Sequence, residues 1–364
     1  MLTRRQTVLG AAIGTTVPLG AARAASNEYD EAVKSIWRHS SEKPADTPAL
    51  MRELVRYSTL APSSHNTQCW RFRIQERAIL IEPDLTRRTP VVDPDDHHLW
   101  VSLGCAAENL AQAALANGLK AEALVTKAGT GGVAVTLEPT QPLASALYQA
   151  MVDRQCTRGD YDGKPASPDE LRLLEQAGSG KGVRVKLLTE RPALEKVLEY
   201  IVAGSNAQVR DPAFVEELKA WIRFGKSQAV KSGDGLYSGS SGNPSLPTWL
   251  GRPLMGLFFT GEAEQEKYTR QVRNSSGIAV FVSDANDRAH WVEVGRCYER
   301  FALQATALGI RNAFLNQPVE VSTLRPQFAA WLGVGSGRPD LVVRFGRGPK
   351  LPSSLRRPVE AVLF

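Results

Sequence analysis

The most suggestive stretch for chemistry in this 364-residue chain is the run APSSHNTQCWRF, which starts at Ala61. Its polar side chains include those of Ser63, Ser64, Asn66 and Gln68. In a loop between a helix and a strand, such groups offer hydrogen-bond donors and acceptors to a planar polar ligand. The same residues are typical of a turn that ends a helix with an asparagine side-chain bond, and taken alone the loop favours that simpler interpretation.

Two groups of arginines suggest phosphate binding. The first is the run Arg154-Gln155-Cys156-Thr157-Arg158, which follows a predicted helix. The second is the pair Arg344 and Arg347 at the close of the last predicted strand. A guanidinium group stays charged and presents a planar fork of N–H donors that matches a phosphate. A solvated basic surface is the alternative interpretation for both groups.

One acidic and histidine-rich run raises the question of a metal. It consists of Asp93, Asp95, Asp96, His97 and His98, just before a predicted helix. Neighbouring histidines on a helix point in different directions, and acidic residues at a helix N-terminus are ordinary because they complement the helix dipole. The sequence therefore predicts no metal site.

Signatures of other site classes are incomplete. The run GSGKG from Gly178 lacks the serine or threonine and the spacing of a P-loop. Ser64 and His65 are neighbours without the GxSxG elbow of a serine hydrolase. The four cysteines are widely separated and have no metal-ligand spacing, so we expect buried thiols. A disulfide between two of them is the alternative in an exported chain, and the sequence does not assign its partners.

An internal repeat indicates what positions these residues. The stretch WVSLGCAAENLAQAALANG from Trp100 aligns without a gap on WVEVGRCYERFALQATALG from Trp291, 191 residues further along. Both read as long amphipathic helices with small residues where another helix must approach closely. A repeat of this kind predicts two related halves in one chain, with a site where the halves meet.

The remaining pattern predicts an α+β fold in which the repeat helices pack across a pseudo-twofold axis. Residues 26–46 read as a loose polar arm with a helical turn or two. Residues 231–261 are rich in Gly, Ser and Pro yet carry aromatic side chains, which predicts a long loop held on an apolar surface.

The first 25 residues read as an export signal that is not part of the fold. Arg4 and Arg5 precede a modest apolar run, and Ala22-Arg23-Ala24 has the form of a cleavage site. The arginine pair resembles a twin-arginine signal, which predicts a periplasmic or exported protein; an ordinary secretory signal is the alternative. Three of the six net positive charges belong to this segment, and the remaining +3 is too weak to indicate nucleic-acid binding. No mature segment is long and apolar enough to span a membrane.

Together these pieces resemble the FMN-dependent nitroreductase family, and more closely its Acg-like branch. APSSHNTQCW is similar to the APSSxNxQPW loop of that family, with Cys69 in place of proline. DRQCTR is similar to its RRSxR phosphate motif, in which Arg154 and Arg158 match the arginines and Cys156 replaces serine. The second repeat helix and DLVVRFGRGP are similar to a family helix and to its final strand.

The resemblance implies a nitroreductase-like fold in which two tandem half-repeats form an internal pseudo-dimer, so that a monomer suffices. It implies residues 26–140 as the first repeat and 141–364 as the second, with 231–261 as a lid-like loop. It also implies one FMN site per chain, because the two halves contribute different motifs. The first half supplies Pro62, Ser63, Ser64, Asn66 and Gln68. The second supplies Arg154, Cys156, Arg158, Arg344 and Arg347, with Asn316 and Gln317 presenting backbone N–H groups to the flavin.

The leading hypothesis for function is an exported FMN oxidoreductase that passes two electrons from a small-molecule donor to a nitro, quinone or similar acceptor. In this hypothesis the flavin carries the chemistry and the protein supplies binding and electrostatics. The alternative is a protein that stores or sequesters FMN beneath the lid without turnover. A third interpretation makes the lid a docking surface for an electron donor.

Overall fold

The computed structural model of the protein describes residues 19–42, 44–127 and 129–364. Its α-helices are α1 (Leu19–Ile36), α2 (Thr47–Thr59), α3 (His97–Ala116), α4 (Ala146–Ala150), α5 (Pro168–Ala177), α6 (Arg191–Arg210), α7 (Pro212–Trp221), α8 (Lys226–Ser232), α9 (Thr248–Phe258), α10 (Gly261–Arg273), α11 (Arg288–Ala307), α12 (Gln317–Glu320) and α13 (Arg325–Leu332). Its strands are β1 (Trp70–Gln75), β2 (Ala78–Pro83), β3 (Leu119–Thr126), β4 (Gly132–Pro139), β5 (Val183–Leu188), β6 (Ile222–Arg223), β7 (Leu236–Tyr237), β8 (Gly277–Ser283), β9 (Arg311–Phe314) and β10 (Arg338–Gly346).

The two halves of the chain repeat one order of elements. The first half runs α2, β1, β2, α3, β3, β4, and the second runs α5, β5, β8, α11, β9, β10. Each half forms a four-stranded antiparallel sheet, with spatial orders β1-β2-β4-β3 and β5-β8-β10-β9. In both sheets the strand that comes second in chain order pairs with the strands that come first and fourth in chain order. The predicted α+β fold of two tandem half-repeats is therefore confirmed.

The repeat helices α3 and α11 form the seam between the halves. A Cβ atom added to Gly104 of α3 would lie 2.0 Å from the carbonyl oxygen of Val292, and one added to Gly295 of α11 would lie 2.0 Å from that of Val101. Only glycine allows the two backbones to come this close. The contact is the same in both directions, as a twofold relation requires. One apolar core continues across this seam and includes side chains of both sheets.

The second half carries a large insertion. Helices α6 to α10 and the short parallel pair β6–β7 lie between β5 and β8, where the first half has only a tight turn at Glu76 and Arg77. The prediction of a continuous loop over residues 231–261 is wrong in part, because α9 occupies eleven of these residues. Apolar residues at helical spacing outweigh the Gly and Pro content, although Pro253 lies inside the helix.

The N-terminal arm also differs from its prediction. Residues 19–36 form the continuous helix α1 instead of a loose arm. Tyr29, Ala32, Val33 and Ile36 recur at helical spacing and pack in one cluster with Tyr237 of the insertion. The predicted export signal lies mostly outside the described residues, and its last seven residues are the beginning of α1. Among the helices of the described residues, none has both the length and the apolar character needed to cross a bilayer.

Candidate functional site

The loop after α2 has an uncommon backbone conformation. His65, Asn66 and Gln68 have φ angles of 47°, 52° and 53°. In this left-handed region the Cβ atom of an L-residue crowds the backbone, at a cost of about 1–2 kcal/mol per residue. Such strain persists only where surrounding contacts fix it, and it concentrates at functional sites.

Asn66 fixes this loop against two distant segments. Its side-chain amide donates to the carbonyl of Gly235 in the insertion at 3.0 Å and to that of Leu355 in the C-terminal tail at 3.2 Å. Its side-chain oxygen accepts from Arg356 at 3.0 Å. Both amide hydrogens of Asn66 and one lone pair of its side-chain oxygen therefore position the loop.

Arg356 anchors the C-terminal tail to the end of α2. Its guanidinium is buried and donates to the carbonyl oxygens of Thr59, Leu60 and Ala61 at 2.7, 2.9 and 3.1 Å. These are carbonyls at the C-terminus of α2, where a cation complements the helix dipole. Burial, together with the nearby charge of Arg154, lowers the pKa of Arg356 to about 9.

Arg154 joins the two halves. It is 2% exposed, donates to the Leu60 carbonyl at 2.8 Å, and pairs with Glu299 of α11 at 3.1 Å. Its Nη1 atom is buried and has no protein partner. Burial raises the pKa of Glu299 to about 7, against the opposing charges of Arg154 and Arg356.

The loop and the arginine run meet in one cleft at the seam. Of the residues predicted from the sequence, the cleft is lined by Pro62, Ser63, Asn66, Arg154, Cys156 and Arg158. Its other walls include Trp37, Gly235, Leu236, Ser240, Phe314, Leu351 and Arg356. Both halves, the insertion and the tail therefore contribute. The cavity volume is about 60 Å³, whereas pockets for cofactor-sized ligands usually measure about 300–1,000 Å³.

The lining of the cleft carries excess positive charge. Three guanidiniums line it, and Glu299 is the only carboxylate that pairs with any of them among the described residues. Arg158 is half-buried and forms no ion pair within the described chain. Burial lowers the pKa of His65 to about 4, and the nearby charges of Arg158 and His98 add to that effect. Such a lining favours an anionic ligand.

Two predicted phosphate ligands lie elsewhere. Arg344 is fully buried and donates to the carbonyls of Thr157 and Gly159, so it supports the arginine run from outside the cleft. Its guanidinium lies 4.0 Å from the ring centre of Tyr161. Arg347 lies near the surface and forms an ion pair with Glu170. The structure does not bring either of these side chains to the cleft.

The remaining predicted site residues also lie outside the cleft lining. The Asn316 side chain accepts from the backbone N–H of Val342 at 2.9 Å, which joins the start of α12 to β10. Gln317 is buried and packs closely against Gly204 of α6. The backbone N–H of Ser64 faces the Ser102 hydroxyl at 3.4 Å.

Gln68 has a tethering role. Its side-chain amide donates to the Gly233 carbonyl at 2.8 Å, and its oxygen accepts from the backbone N–H of Arg357 at 2.8 Å. Like Asn66, it connects the strained loop to the insertion and to the tail. The cleft therefore depends on segments more than 160 residues away in sequence.

Sequence reasoning missed Trp37, Glu299 and Arg356. The repeat offered one signal, because Glu299 is the counterpart of Glu108 at the same 191-residue offset. A carboxylate retained in both copies of an apolar helix must have a partner, since burying an unpaired charge is costly. Arg356 lies in an extended tail with no periodic pattern, so no local signal indicates its partners.

The fold and the cleft define a duplicated α+β protein with a positively charged cleft at its seam. No family model matches the chain. Its curated relatives include "Putative NAD(P)H nitroreductase Rv3131" of Mycobacterium tuberculosis H37Rv, 24% identical over 328 residues that cover 86% of this chain and 90% of that protein. "Putative NAD(P)H nitroreductase acg" of the same strain is 22% identical over 87% of this chain and 96% of its own. These relatives support the resemblance to the nitroreductase family.

Two solved structures overlap with part of the fold. A nitroreductase with bound FMN from Desulfitobacterium hafniense covers 58% of this chain and 94% of its own, with 14% identity and a TM-score of 0.37. The FMN-dependent nitroreductase NfnB of Mycobacterium smegmatis, solved with NADPH, covers 56% and 87%, with 14% identity and a TM-score of 0.36.

Proposed function

We propose that the protein is an FMN-binding oxidoreductase of the nitroreductase type, with one flavin site per chain. The observation that carries this proposal is the meeting of the strained loop of one half and the arginine run of the other in a cationic cleft at the seam. The curated relatives, which are named as NAD(P)H nitroreductases, support the same assignment.

The cleft residues suit the parts of FMN. Arg158, which lacks an ion-pair partner, and the free Nη1 atom of Arg154 would hold the phosphate. Ser63 offers a hydroxyl to the polar groups of the cofactor, and Trp37 and Phe314 offer apolar surface to a flat ring. When bound, FMN supplies two-electron transfer between a nicotinamide donor and a nitro, quinone or similar acceptor.

The small volume of the cleft requires part of its wall to move outward when the cofactor enters. The wall segments that belong to neither repeat core are residues 233–240 of the insertion and residues 351–356 of the tail. Both are tied to the strained loop by Asn66 and Gln68. Loading of FMN would break some of these bonds and close the segments again over the ring.

The same enclosure favours a second candidate function, the storage of FMN without turnover. A cofactor held beneath both segments would be shielded from large donors and acceptors. An anaerobic titration of the FMN-loaded protein with NADPH, NADH and dithionite distinguishes the two. Rapid bleaching of the flavin absorbance by a nicotinamide nucleotide in a stopped-flow trace supports the oxidoreductase. Reduction by dithionite alone supports storage, or a donor that docks on the insertion. Failure of the purified protein to contain or take up FMN rejects both the oxidoreductase and the storage function.

We further propose that residues 1–25 direct export through the twin-arginine route, on the basis of the Arg4-Arg5 pair and the apolar run that follows it. Replacing both arginines with lysine in the full chain is the test. The proposal predicts that the protein stays in the cytoplasmic fraction of the variant strain. Export that is unchanged by this substitution indicates an ordinary secretory signal instead.

A further inference from the structure

The start of α3 contains a buried cluster outside the cleft lining. Asp93 lies before the helix, and its two carboxylate oxygens accept from the backbone N–H groups of His98 and Leu99 at 3.0 and 2.9 Å. His97 and His98 are 1% and 6% exposed. One carboxylate and two imidazoles therefore meet in the interior, held by the first turn of the helix.

The expectation that two neighbouring histidines diverge does not hold at this helix start. The ring centres of His97 and His98 lie 4.6 Å apart. One potential ligand atom from each histidine and one from Asp93 all lie within 4.8 Å of one another. We propose that Asp93, His97 and His98 bind a single divalent transition-metal ion of the zinc class.

Unpartnered nitrogens are the second observation behind this site. Both ring nitrogens of His97 and the Nε2 atom of His98 are buried and have no hydrogen-bond partner of good geometry. Buried polar atoms in proteins nearly always have a partner, so several unpartnered atoms at one place require an explanation. An ion bound at one nitrogen of each imidazole supplies part of the missing interactions and also neutralises the buried carboxylate.

Distances in the cluster are close to those of a bound ion. The Nδ1 atom of His98 lies 3.9 Å from a carboxylate oxygen of Asp93. Ligands at about 2.1 Å from a tetrahedral zinc ion are about 3.4 Å apart, so binding of an ion would draw these side chains closer together by rotation. The backbone N–H groups that Asp93 accepts from would orient this ligand from behind, as outer partners commonly do.

Asp340 provides a further outer partner. One of its carboxylate oxygens lies 3.0 Å from the Nε2 atom of His97. A carboxylate beside the far nitrogen of a ligating histidine fixes the orientation of the ring and increases its basicity. Arg338 pairs with both Asp340 and Asp95, so its positive charge is offset by two carboxylates next to the cluster.

The ligand set determines the class of ion. Two imidazoles and one carboxylate suit Zn²⁺, and also Fe²⁺ or Co²⁺, whereas Mg²⁺ and Ca²⁺ prefer oxygen ligands. Three protein ligands leave a position for water, as in metal sites that keep an open coordination site. The proposal does not depend on the flavin, because none of the three ligands lines the cleft.

The test uses the untagged full chain, stripped of metal by a chelator and titrated with Co²⁺ alone. The proposal predicts visible d–d absorption that saturates at one Co²⁺ per chain and is displaced by Zn²⁺. Asp93→Asn and His98→Gln, which keep side-chain volume, are expected to weaken Co²⁺ binding at least about 100-fold. Asp340→Asn removes the outer carboxylate, which also pairs with Arg338, and is expected to weaken Co²⁺ binding about 10-fold.

The matched control is His290→Gln at the start of α11. His290 lies beside Asp287 at 2.9 Å, but this pair is partly exposed and has no third ligand in the described chain. Binding of Co²⁺ by this variant is expected to equal that of the native protein. Should His98→Gln fail to fold, a Zn²⁺-dependent rise in Tm that is present in the native chain and absent in Asp93→Asn decides the question. Non-saturable binding, or a cobalt spectrum that all four variants share with the native chain, overturns the proposal.

Discussion

The two repeat helices, α3 and α11, are alike at the glycines where they touch and differ in the ion-pair partners of a glutamate that both contain. In the middle, Gly104 contacts Val292 and Gly295 contacts Val101, with the same 2.0 Å distance from an added Cβ to a carbonyl oxygen. The geometry of the seam is therefore shared by both copies. An approach this close fixes how the halves sit against each other, and hence where the cleft lies.

The two helices share a glutamate at equivalent positions, but its ion-pair partners differ between the two copies. Glu108 of α3 pairs with Arg296 and Arg300, both of which belong to α11. Its counterpart Glu299 pairs instead with Arg154 at the cleft. The comparison indicates that a repeated carboxylate fastens the two helices in one half and supports the site in the other. Symmetry is kept where backbones touch and is lost where ligands would bind.

The largest effect is expected from closing the space at the seam. The double variant Gly104→Ala/Gly295→Ala places two methyl groups against backbone carbonyls, which side-chain movement cannot relieve. We expect at least about 4 kcal/mol of lost unfolding free energy, or an insoluble chain, because overpacking of this kind forces the helices apart. Urea denaturation followed by circular dichroism measures the loss.

Gly256→Ala in α9 is the control for this pair, since an added Cβ there has no neighbour within 4 Å. Alanine at a helical position is expected to be neutral or to stabilise by about 0.5–1 kcal/mol. A double variant at the seam that is as stable as the native chain would show that α3 and α11 do not meet at these glycines.

The next effect concerns the buried pair of the site. At pH 8, above the raised pKa of Glu299, Arg154→Met removes the guanidinium and leaves the Glu299 carboxylate without its partner, which is expected to cost about 3 kcal/mol of stability. Arg154→Met/Glu299→Gln removes both charges and is expected to recover part of that loss. Additive costs in this double-mutant cycle would mean that the two side chains do not interact.

A smaller effect is expected in the pH dependence of stability. Burial raises the pKa of Glu299 from 4.5 to about 7. Between these values the native state holds a proton that the unfolded chain has released, so stability decreases as pH rises through this window. The contribution of this residue is on the order of 3 kcal/mol across the window, with 1.36 kcal/mol for each unit of pKa shift.

The measurement compares Glu299→Gln with the native chain by urea denaturation at intervals from pH 4.5 to pH 8. Other buried acids also contribute to the native slope, so the difference between the two curves isolates Glu299. The difference is expected to grow in favour of the variant as pH rises. Parallel curves would place the pKa of Glu299 near its ordinary value.

Much of the fold follows from local and repeated patterns. The repeat predicts the seam, because equal spacing of Trp, Gly and Ala residues in α3 and α11 leaves few ways for the helices to pack. The loop at Ser63 and the run at Arg154 are conspicuous in composition, and the structure brings both to one cleft. Each of these signals lies within a short continuous stretch of sequence, so it can be recognised without knowledge of the structure.

What could not be predicted depends on distant partners. The role of Arg356 arises from carbonyls almost 300 residues earlier in the chain. The polar composition of residues 26–36 hid an amphipathic helix whose apolar face meets the insertion. Arg344 and Arg347 share a strand end, but the fold buries one behind the arginine run and turns the other to the surface. A charge pattern alone cannot distinguish these outcomes.

The smallest expected effect is that of Arg347, which lies just after the C-terminal end of β10 and away from the cleft. Arg347→Ala breaks a partly exposed pair with Glu170, and we expect a change in stability within about 0.5 kcal/mol. We also expect FMN affinity to change less than about twofold.

Arg158→Ala, in contrast, removes a guanidinium without an ion-pair partner from the cleft lining. This variant is expected to weaken FMN binding at least about tenfold, since a charge-assisted bond to phosphate contributes about 1.5–3 kcal/mol. Fluorescence titration with FMN measures both variants. A greater loss with Arg347→Ala than with Arg158→Ala would move the phosphate site from the seam to the end of β10.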